Sequence, residues 1–123
     1  MKNYLGIDYG SKRVGVAIGD AELKMARPLE IVVNDEGLLD RIKTLAVDHE
    51  AGVLVVGLPR GLDGQETKYT GIVRAFATQL EKLGLPVELQ DEALTSELVG
   101  SNSAFPADDR AAAMILQDHL DNL

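Results

Sequence analysis

The chain of 123 residues contains no cysteine and no tryptophan, and aromatic residues make up only 4% of it. The absence of cysteine excludes a disulfide framework, a thiolate metal site and a thiol nucleophile. With so few aromatic residues, the core must consist mainly of Val, Leu, Ile and Ala. No apolar run approaches the roughly 18 residues that a membrane-spanning helix needs, and no basic-then-apolar signal peptide opens the sequence. We therefore expect a cytoplasmic protein with no membrane partner.

Positive charge is also scarce, since 12 Lys and Arg residues against 20 Asp and Glu residues give a formal net charge of −8. Lys and Arg normally supply the sequence-independent affinity for nucleic acids, so this balance disfavours nucleic-acid binding. The charge balance does not exclude nucleic-acid binding, because carboxylates that bind a divalent cation add negative charge to the metal-free chain. The length and the apolar content of 46% fit a single domain over residues 1–123.

Residues 4–20 predict a β-hairpin around which the remaining elements are arranged. Apolar residues lead to Asp8, a turn with Gly10 follows, and β-branched residues then alternate with glycine and alanine. Glycine weakens a strand unless another element approaches closely, so this small face indicates close packing. Asp8 itself has three open interpretations: a turn residue, a structural ion-pair partner or a metal ligand.

The rest of the sequence alternates between predicted strands and helices. The predicted strands cover 29–33, 53–56 and 86–92, and the predicted helices cover 36–50, 66–83 and 108–120. Residues 53–56 are apolar without alternation, which is typical of a strand covered on both faces. The element order predicts an α/β mixed sheet, in which a three-strand antiparallel meander and two parallel strands are flanked by helices. This is the element order of the ribonuclease H-like fold.

Hydrophobic spacing also predicts which side chains face the core. In the third strand, the second helix and the last strand these are Leu29, Ile31, Val33, Ile72, Val73, Phe76, Leu80, Val87 and Leu89. The methionines and phenylalanines are assigned to the core by the same spacing. His49 and His119 are isolated and are interpreted as structural. Residues 57–64 form a turn-rich loop that matches neither the dinucleotide-binding pattern nor the P-loop pattern.

Acidic residues lie at three element ends: Asp8 after the first strand, Asp91 and Glu92 after the last, and Asp108 and Asp109 opening the final helix. In a mixed sheet with a central first strand these points could converge, and clustered carboxylates ionise at low cost only with a cation. Magnesium and manganese prefer oxygen ligands, and two such ions can activate water at a phosphate. Two alternatives to metal binding remain. Asp108 or Asp109 could cap the final helix, and Asp91 and Glu92 could form a solvated strand end.

Four motifs in sequence order resemble the YqgF, or RuvX, family. They are the opening motif at 6–17, the strand and loop at 55–59 and 62–64, Asp-Glu-Ala-Leu-Thr-Ser at 91–96, and the last helix at 108–117. Together they cover nearly the whole chain. The resemblance implies a ribonuclease H-like nuclease that acts in maturation of the 5′ end of pre-16S rRNA. The family was earlier proposed to resolve Holliday junctions.

The resemblance also implies a catalytic, metal-binding set that carries over onto Asp8, Glu92 and Asp108, with Asp91 and Asp109 as alternates. The implied cofactor is Mg²⁺ or Mn²⁺. We expect Lys12, Arg13 and Thr95 to contact phosphates of the substrate. We expect Gly10 to let the backbone approach the substrate. The implied partners are nucleic acid, either pre-rRNA or branched DNA, and ribosomal precursor particles. A monomer and a homodimer are both compatible with the sequence.

Two departures from the family pattern affect the expected affinity for substrate. Ala93 occupies the position where the family usually has arginine, and the segment between Ser96 and Asp108 is short and lacks the usual basic residues. A non-catalytic member that binds RNA or a protein is therefore the alternative function. An actin-like or sugar-kinase ATPase has a similar first hairpin, but that architecture pairs two such domains, and 123 residues hold only one.

Overall fold

The computed structural model describes residues 3–61, 63–92 and 108–123. Its strands are β1 (Asn3–Asp8), β2 (Arg13–Asp20), β3 (Met25–Val33), β4 (Ala51–Leu58) and β5 (Val87–Asp91). Its helices are α1 (Leu38–Asp48), α2 (Lys68–Glu81) and α3 (Asp109–Asp121). Within these ranges no helix combines the length and the apolar content needed to cross a membrane.

The strands form one five-stranded mixed sheet in the order β3-β2-β1-β4-β5. β1 pairs with β2 and β2 with β3 in antiparallel register, whereas β1 with β4 and β4 with β5 are parallel. This arrangement confirms the predicted meander followed by two parallel strands. Because β1, β4 and β5 run in the same direction, their carboxyl ends lie at one edge of the sheet.

Helices cover both faces of this sheet. One core cluster joins α1 and α2 to the sheet, and the other joins α3 to the opposite face. β4 contributes to both, since Leu54 and Val56 lie in the first cluster and Val55 lies in the second. The prediction that residues 53–56 form a strand covered on both faces is therefore confirmed.

Small residues on β1 and β2 allow α3 to lie close to the sheet. A Cβ atom built on Gly15 would be 1.9 Å from the carbonyl oxygen of Asp108, which immediately precedes α3. On β1, a Cβ atom at Gly6 would be 2.8 Å from the carbonyl oxygen of Ala112. Real side chains do not fit at such distances, so the predicted close packing against the small face is confirmed.

The predicted inward face of β3 is wrong for two of its three residues. Ile31 is 44% exposed and Val33 is 62% exposed, while Val32 between them is buried. The cause is an irregularity in the pairing with β2, which leaves Leu29 as an extra residue in β3. A β-bulge of this kind reverses the alternation of side chains beyond it. Leu29 itself packs against the core.

Other positions assigned to the core are exposed at the edges of the sheet or on the outer side of a helix. These residues are Met25 (65% exposed), Ile72 (45%), Leu89 (38%) and Met114 (62%). β3 and β5 are the two edge strands, so their side chains are covered by fewer neighbours. In α2, the side chains of Val73, Phe76 and Leu80 face the sheet as predicted.

Candidate active site

Three acidic segments lie at the edge of the sheet where the parallel strands end. Asp8 is the last residue of β1 and pairs with Gly15 of β2. Asp108, the residue before α3, packs against Gly15. Glu92 follows the last residue of β5, and its backbone N–H donates to the carbonyl of Leu58 at the end of β4. The parallel register therefore brings together segments that are far apart in the sequence.

Asp8 and Asp108 are in direct contact at this edge. The backbone N–H of Asp108 donates to Oδ2 of Asp8 across 3.3 Å. Burial raises the pKa of Asp8 to about 6, and the charge of Asp108 adds to the rise, while the hydrogen bond from Asp108 opposes it. Desolvation and a nearby like charge both disfavour an ionised carboxyl group.

Asp108 is the N-cap of α3, as the capping interpretation predicted. Its Oδ1 accepts a hydrogen bond from the backbone N–H of Ala111 across 2.7 Å. Capping satisfies one of the N–H groups that the first turn of a helix leaves unpaired. The two interpretations of Asp108 are compatible, because the cap orients its carboxylate while the same residue remains in contact with Asp8.

Glu92, and not Asp91, is the member of its pair that interacts with Asp8. Burial and then repulsion from Asp8 raise the pKa of Glu92 to about 8. Its Oε2 lies over Gly57 of β4, where an added Cβ would be 2.7 Å away. Asp91 instead accepts a hydrogen bond from Nε of Arg60 across 3.1 Å. That ion pair holds Asp91 beside the loop that follows β4.

The start of α2 reaches the same edge from the other face of the sheet. Thr67 and Thr70 form a capping box, and the hydroxyl of Thr70 donates to the carbonyl of Pro59 across 2.6 Å. In this first turn the hydroxyl of Tyr69 donates to the carbonyl of Tyr9, the residue after Asp8, across 2.6 Å. Burial and then the charge of Asp8, with smaller contributions from Tyr9 and Glu92, raise the pKa of Tyr69 to about 12.

Of the four predicted substrate-binding residues, Gly10 and Lys12 lie in the turn between β1 and β2, and Arg13 is the first residue of β2. Asn34 holds this turn, because its side chain donates to the carbonyl of Gly10 across 2.7 Å and its backbone N–H donates to that of Lys12 across 2.9 Å. Lys12 and Arg13 are exposed to solvent next to the acidic edge. Thr95, the fourth predicted residue, lies outside the described residues, as does Ala93.

Sequence reasoning missed three residues of this edge: Gly57, Arg60 and Tyr69. Gly57 could have been found from its place directly after the apolar strand predicted at 53–56. Tyr69 could have been found from the Thr-x-x-Thr capping pattern at 67–70, which marks the start of α2. No signal in the sequence pairs Arg60 with Asp91, because the two are 31 positions apart.

The comparisons with known proteins agree with this architecture. The sequence profile of RuvX, described as Holliday junction resolvase, matches residues 2–122. The chain belongs to the RuvX family. A Bordetella parapertussis protein named "Putative pre-16S rRNA nuclease" is 42% identical over 97% of this chain and 93% of its own length. A protein of the same name from Orientia tsutsugamushi is 40% identical over 94% of this chain and 80% of its own length.

Solved structures confirm the predicted ribonuclease H-like fold. Thermus thermophilus RuvC in complex with a Holliday junction superposes with a TM-score of 0.62 over 99% of this chain and 95% of that chain. A second Thermus thermophilus RuvC structure gives a TM-score of 0.59 over 98% and 95% of the two chains. The sequence identities are 14% and 16%, so the likeness concerns the fold.

The acidic side chains of this RuvX family member match a divalent cation in their chemistry. Asp8 and Glu92 are two adjacent carboxyl groups with raised pKa values, and hard cations prefer carboxylate oxygens. Among the described residues, however, no three acidic or histidine side chains have the mutual arrangement of a formed metal site. The chemistry of these carboxyl groups thus fits a divalent cation, and the role of Asp8, Glu92 and Asp108 as ligands stays a prediction.

Proposed function

We propose that this protein is a metal-dependent endonuclease that hydrolyses phosphodiester bonds during maturation of the 5′ end of pre-16S rRNA in the cytoplasm. Residues 1–123 would act as a single nuclease domain. Membership of the RuvX family and the naming of its relatives as pre-16S rRNA nucleases support this proposal. The ribonuclease H-like fold is compatible with it.

One observation carries the catalytic part of the proposal: at the carboxyl edge of the sheet the backbone of Asp108 contacts Asp8, and the charge of Asp8 acts on Glu92. Burying two carboxyl groups side by side destabilises the folded protein unless a cation or a proton compensates. A protein that keeps such a cluster at the strand-end edge gains a place for Mg²⁺ or Mn²⁺. A bound cation of this kind supplies Lewis-acid activation of water and charge stabilisation at the leaving oxygen.

The chain's own groups have distinct roles in this proposal. Asp8, Glu92 and Asp108 provide the oxygen ligands, and the backbone N–H of Asp108 orients Asp8. The capping bond from Ala111 fixes the orientation of Asp108. Lys12 and Arg13 bind phosphates of the substrate, and Asn34 holds the turn that carries them. Preorganised groups of this kind cost no rearrangement when the substrate binds.

Branched DNA is the second candidate substrate, because the RuvX family is described as Holliday junction resolvases. A four-way junction and a precursor RNA present the same phosphodiester chemistry, so the acidic edge does not distinguish them. The net charge of −8 disfavours tight binding to either of them. Ribosomal precursor particles could supply additional contacts to an RNA substrate, so we expect cleavage of the RNA to be more efficient within such particles.

Cleavage assays with both substrates test the proposal. A 16S precursor RNA with its 5′ extension and a four-way DNA junction are each incubated with Mg²⁺, Mn²⁺ or EDTA. We expect the RNA to be cut only with metal, and Asp8→Asn to abolish cutting. The control Asp48→Asn, at the exposed end of α1, should cut like the wild type. Cleavage of the junction alone would favour the resolvase function, and cleavage of neither would favour a non-catalytic binding protein.

A further inference from the structure

Tyr69 is the most exposed aromatic residue in the described part of the chain, and it stands at the acidic edge. It is 37% exposed, whereas Tyr4 and Phe76 are 9% and 5% exposed. Tyr9, the remaining aromatic among the described residues, packs its ring against Phe76 with the centroids 4.3 Å apart. The hydroxyl of Tyr69 donates to the carbonyl of Tyr9, the residue that follows Asp8 at the end of β1. An exposed ring therefore adjoins the proposed reaction centre.

The ring of Tyr69 is held in place from two directions. Its hydroxyl donates to the carbonyl of Tyr9 across 2.6 Å, which links α2 to the end of β1. Its backbone belongs to the first turn of α2, which the capping box of Thr67 and Thr70 stabilises. An exposed aromatic ring normally moves among several rotamers, and these bonds restrict that motion. A ring that is already ordered loses little conformational entropy when a ligand stacks on it.

We propose that Tyr69 stacks on an unpaired base of the substrate strand, next to the phosphodiester bond that is cut. This inference rests on the proposed nuclease function and deepens it, because it assigns a preference for single-stranded nucleic acid. Every base has a π-face, so an aromatic platform binds single strands with little sequence preference. Bases within a continuous duplex are stacked on their neighbours and are not available to Tyr69. The platform would also add affinity that does not depend on positive charge, which this chain lacks.

A fluorescence experiment tests the stacking without relying on cleavage. Single-stranded RNA that carries 2-aminopurine at successive positions is bound to Asp8→Asn protein with Mg²⁺, so that the RNA stays intact. Binding is followed by the anisotropy of a dye at the end of the RNA, and stacking by quenching of 2-aminopurine. We expect quenching at one or two adjacent positions, and no quenching with a fully paired duplex of the same sequence.

Variants of Tyr69 separate the ring from its hydroxyl. Tyr69→Leu, made in the Asp8→Asn background, should abolish the quenching and raise the Kd for single strands by about tenfold. Tyr69→Phe keeps the ring and should retain most of the quenching. The control Ile72→Ala removes another exposed apolar side chain from α2 and should change neither signal.

Each alternative result has a distinct meaning. RNA binding with unchanged quenching in Tyr69→Leu would overturn the stacking inference and leave the nuclease proposal intact. Equal losses in Tyr69→Phe and Tyr69→Leu would also overturn it, because they would assign the effect to the hydroxyl and its bond to Tyr9. No binding of RNA by the Asp8→Asn protein or the wild type would overturn both proposals.

Discussion

At the scale of single residues, the acidic edge is a place where stability and function oppose each other. Glu92 and Asp8 both have raised pKa values because burial and mutual repulsion disfavour their ionised forms. Removing one charge from such a cluster relieves the repulsion in the metal-free protein. Stabilising substitutions of this kind are common at functional sites.

We therefore predict that Asp8→Asn leaves the metal-free protein as stable as the wild type, or more stable. Asparagine retains an oxygen that can accept the hydrogen bond from the backbone N–H of Asp108, so this contact is preserved. Thermal denaturation at pH 8 in EDTA measures the difference, with Asp48→Asn as the matched control. A lower melting temperature in Asp8→Asn would indicate that the ionised carboxylate has a structural role instead.

The same two carboxyl groups predict how the stability of the metal-free protein depends on pH. Their pKa values rise from 3.8 to about 6 for Asp8 and from 4.5 to about 8 for Glu92 on folding. Between these values the folded state binds more protons than the unfolded state, so its stability falls as the pH rises. The stabilising contribution of these two carboxyl groups is complete below about pH 4. It is lost as the pH rises past 6, where Asp8 ionises, and then past 8, where Glu92 ionises.

Denaturant unfolding in EDTA between pH 5 and 9 checks this dependence. We expect the unfolding free energy of the wild type to decrease over that range, and the decrease to be smaller in Asp8→Asn. Addition of Mg²⁺ should flatten the curve as well, because a ligand that binds only the folded state stabilises it. A wild-type curve that rises toward pH 8 would contradict the assigned pKa directions.

At the scale of elements, the position of α3 decides whether the site exists. The residue that caps α3 packs on the backbone of Gly15, and Gly15 is the partner of Asp8 in the sheet. The close approach of helix and strand therefore sets the distance between Asp108 and Asp8. A side chain at position 15 would push the start of α3 away from the sheet.

Gly15→Ala should accordingly destabilise the protein and abolish cleavage. The new Cβ would lie 1.9 Å from the carbonyl oxygen and 2.2 Å from the carbonyl carbon of Asp108, both of which are backbone atoms. Overpacking of this kind costs about 1–3 kcal/mol or more, which urea denaturation would detect. The control Gly52→Ala, on β4, has no atom within 4 Å of the added Cβ and should be nearly neutral. Equal effects of the two substitutions would refute this account of α3.

At the scale of the whole molecule, the net charge of −8 limits how substrate can be held. Arg41, Arg60 and Arg74 form ion pairs with acidic side chains, which leaves fewer cations for phosphates. Lys12 and Arg13 are exposed beside the acidic edge, whereas Lys82 lies at the other end of α2. Electrostatic binding should therefore be weak, and we expect Lys12 and Arg13 to contribute to it at the acidic edge.

We predict a shallow dependence of RNA affinity on salt concentration. Each phosphate contact on a single strand contributes a slope of roughly −0.7 in a plot of log K against log salt concentration. Lys12→Ala should reduce the slope by about one contact, while Lys82→Ala should leave it unchanged. Fluorescence anisotropy with single-stranded RNA at several salt concentrations measures these slopes. A steep slope that neither substitution alters would locate the binding surface elsewhere.

Much of this molecule follows from local patterns in the sequence. The hairpin, the strand covered on both faces and the three helices were predicted because each depends on a short period of apolar residues. The small residues of β1 and β2 predicted a close neighbour, and α3 is that neighbour. The three acidic segments were recognised from their places at element ends: parallel strands bring Asp8 and Glu92 to one edge, and the close approach of α3 brings Asp108 there.

Tertiary structure alone decided which side chains meet. The bulge opposite Val16 and Ala17 reversed the alternation of β3, and Arg60 forms an ion pair with Asp91, whereas the charge of Asp8 acts on Glu92. Tyr69 reached Tyr9 across 60 positions of the chain. These outcomes depend on contacts between residues that are distant in sequence, which no local period encodes. The sequence alone therefore determined the elements and the acidic edge, and packing between the elements decided the arrangement of side chains there.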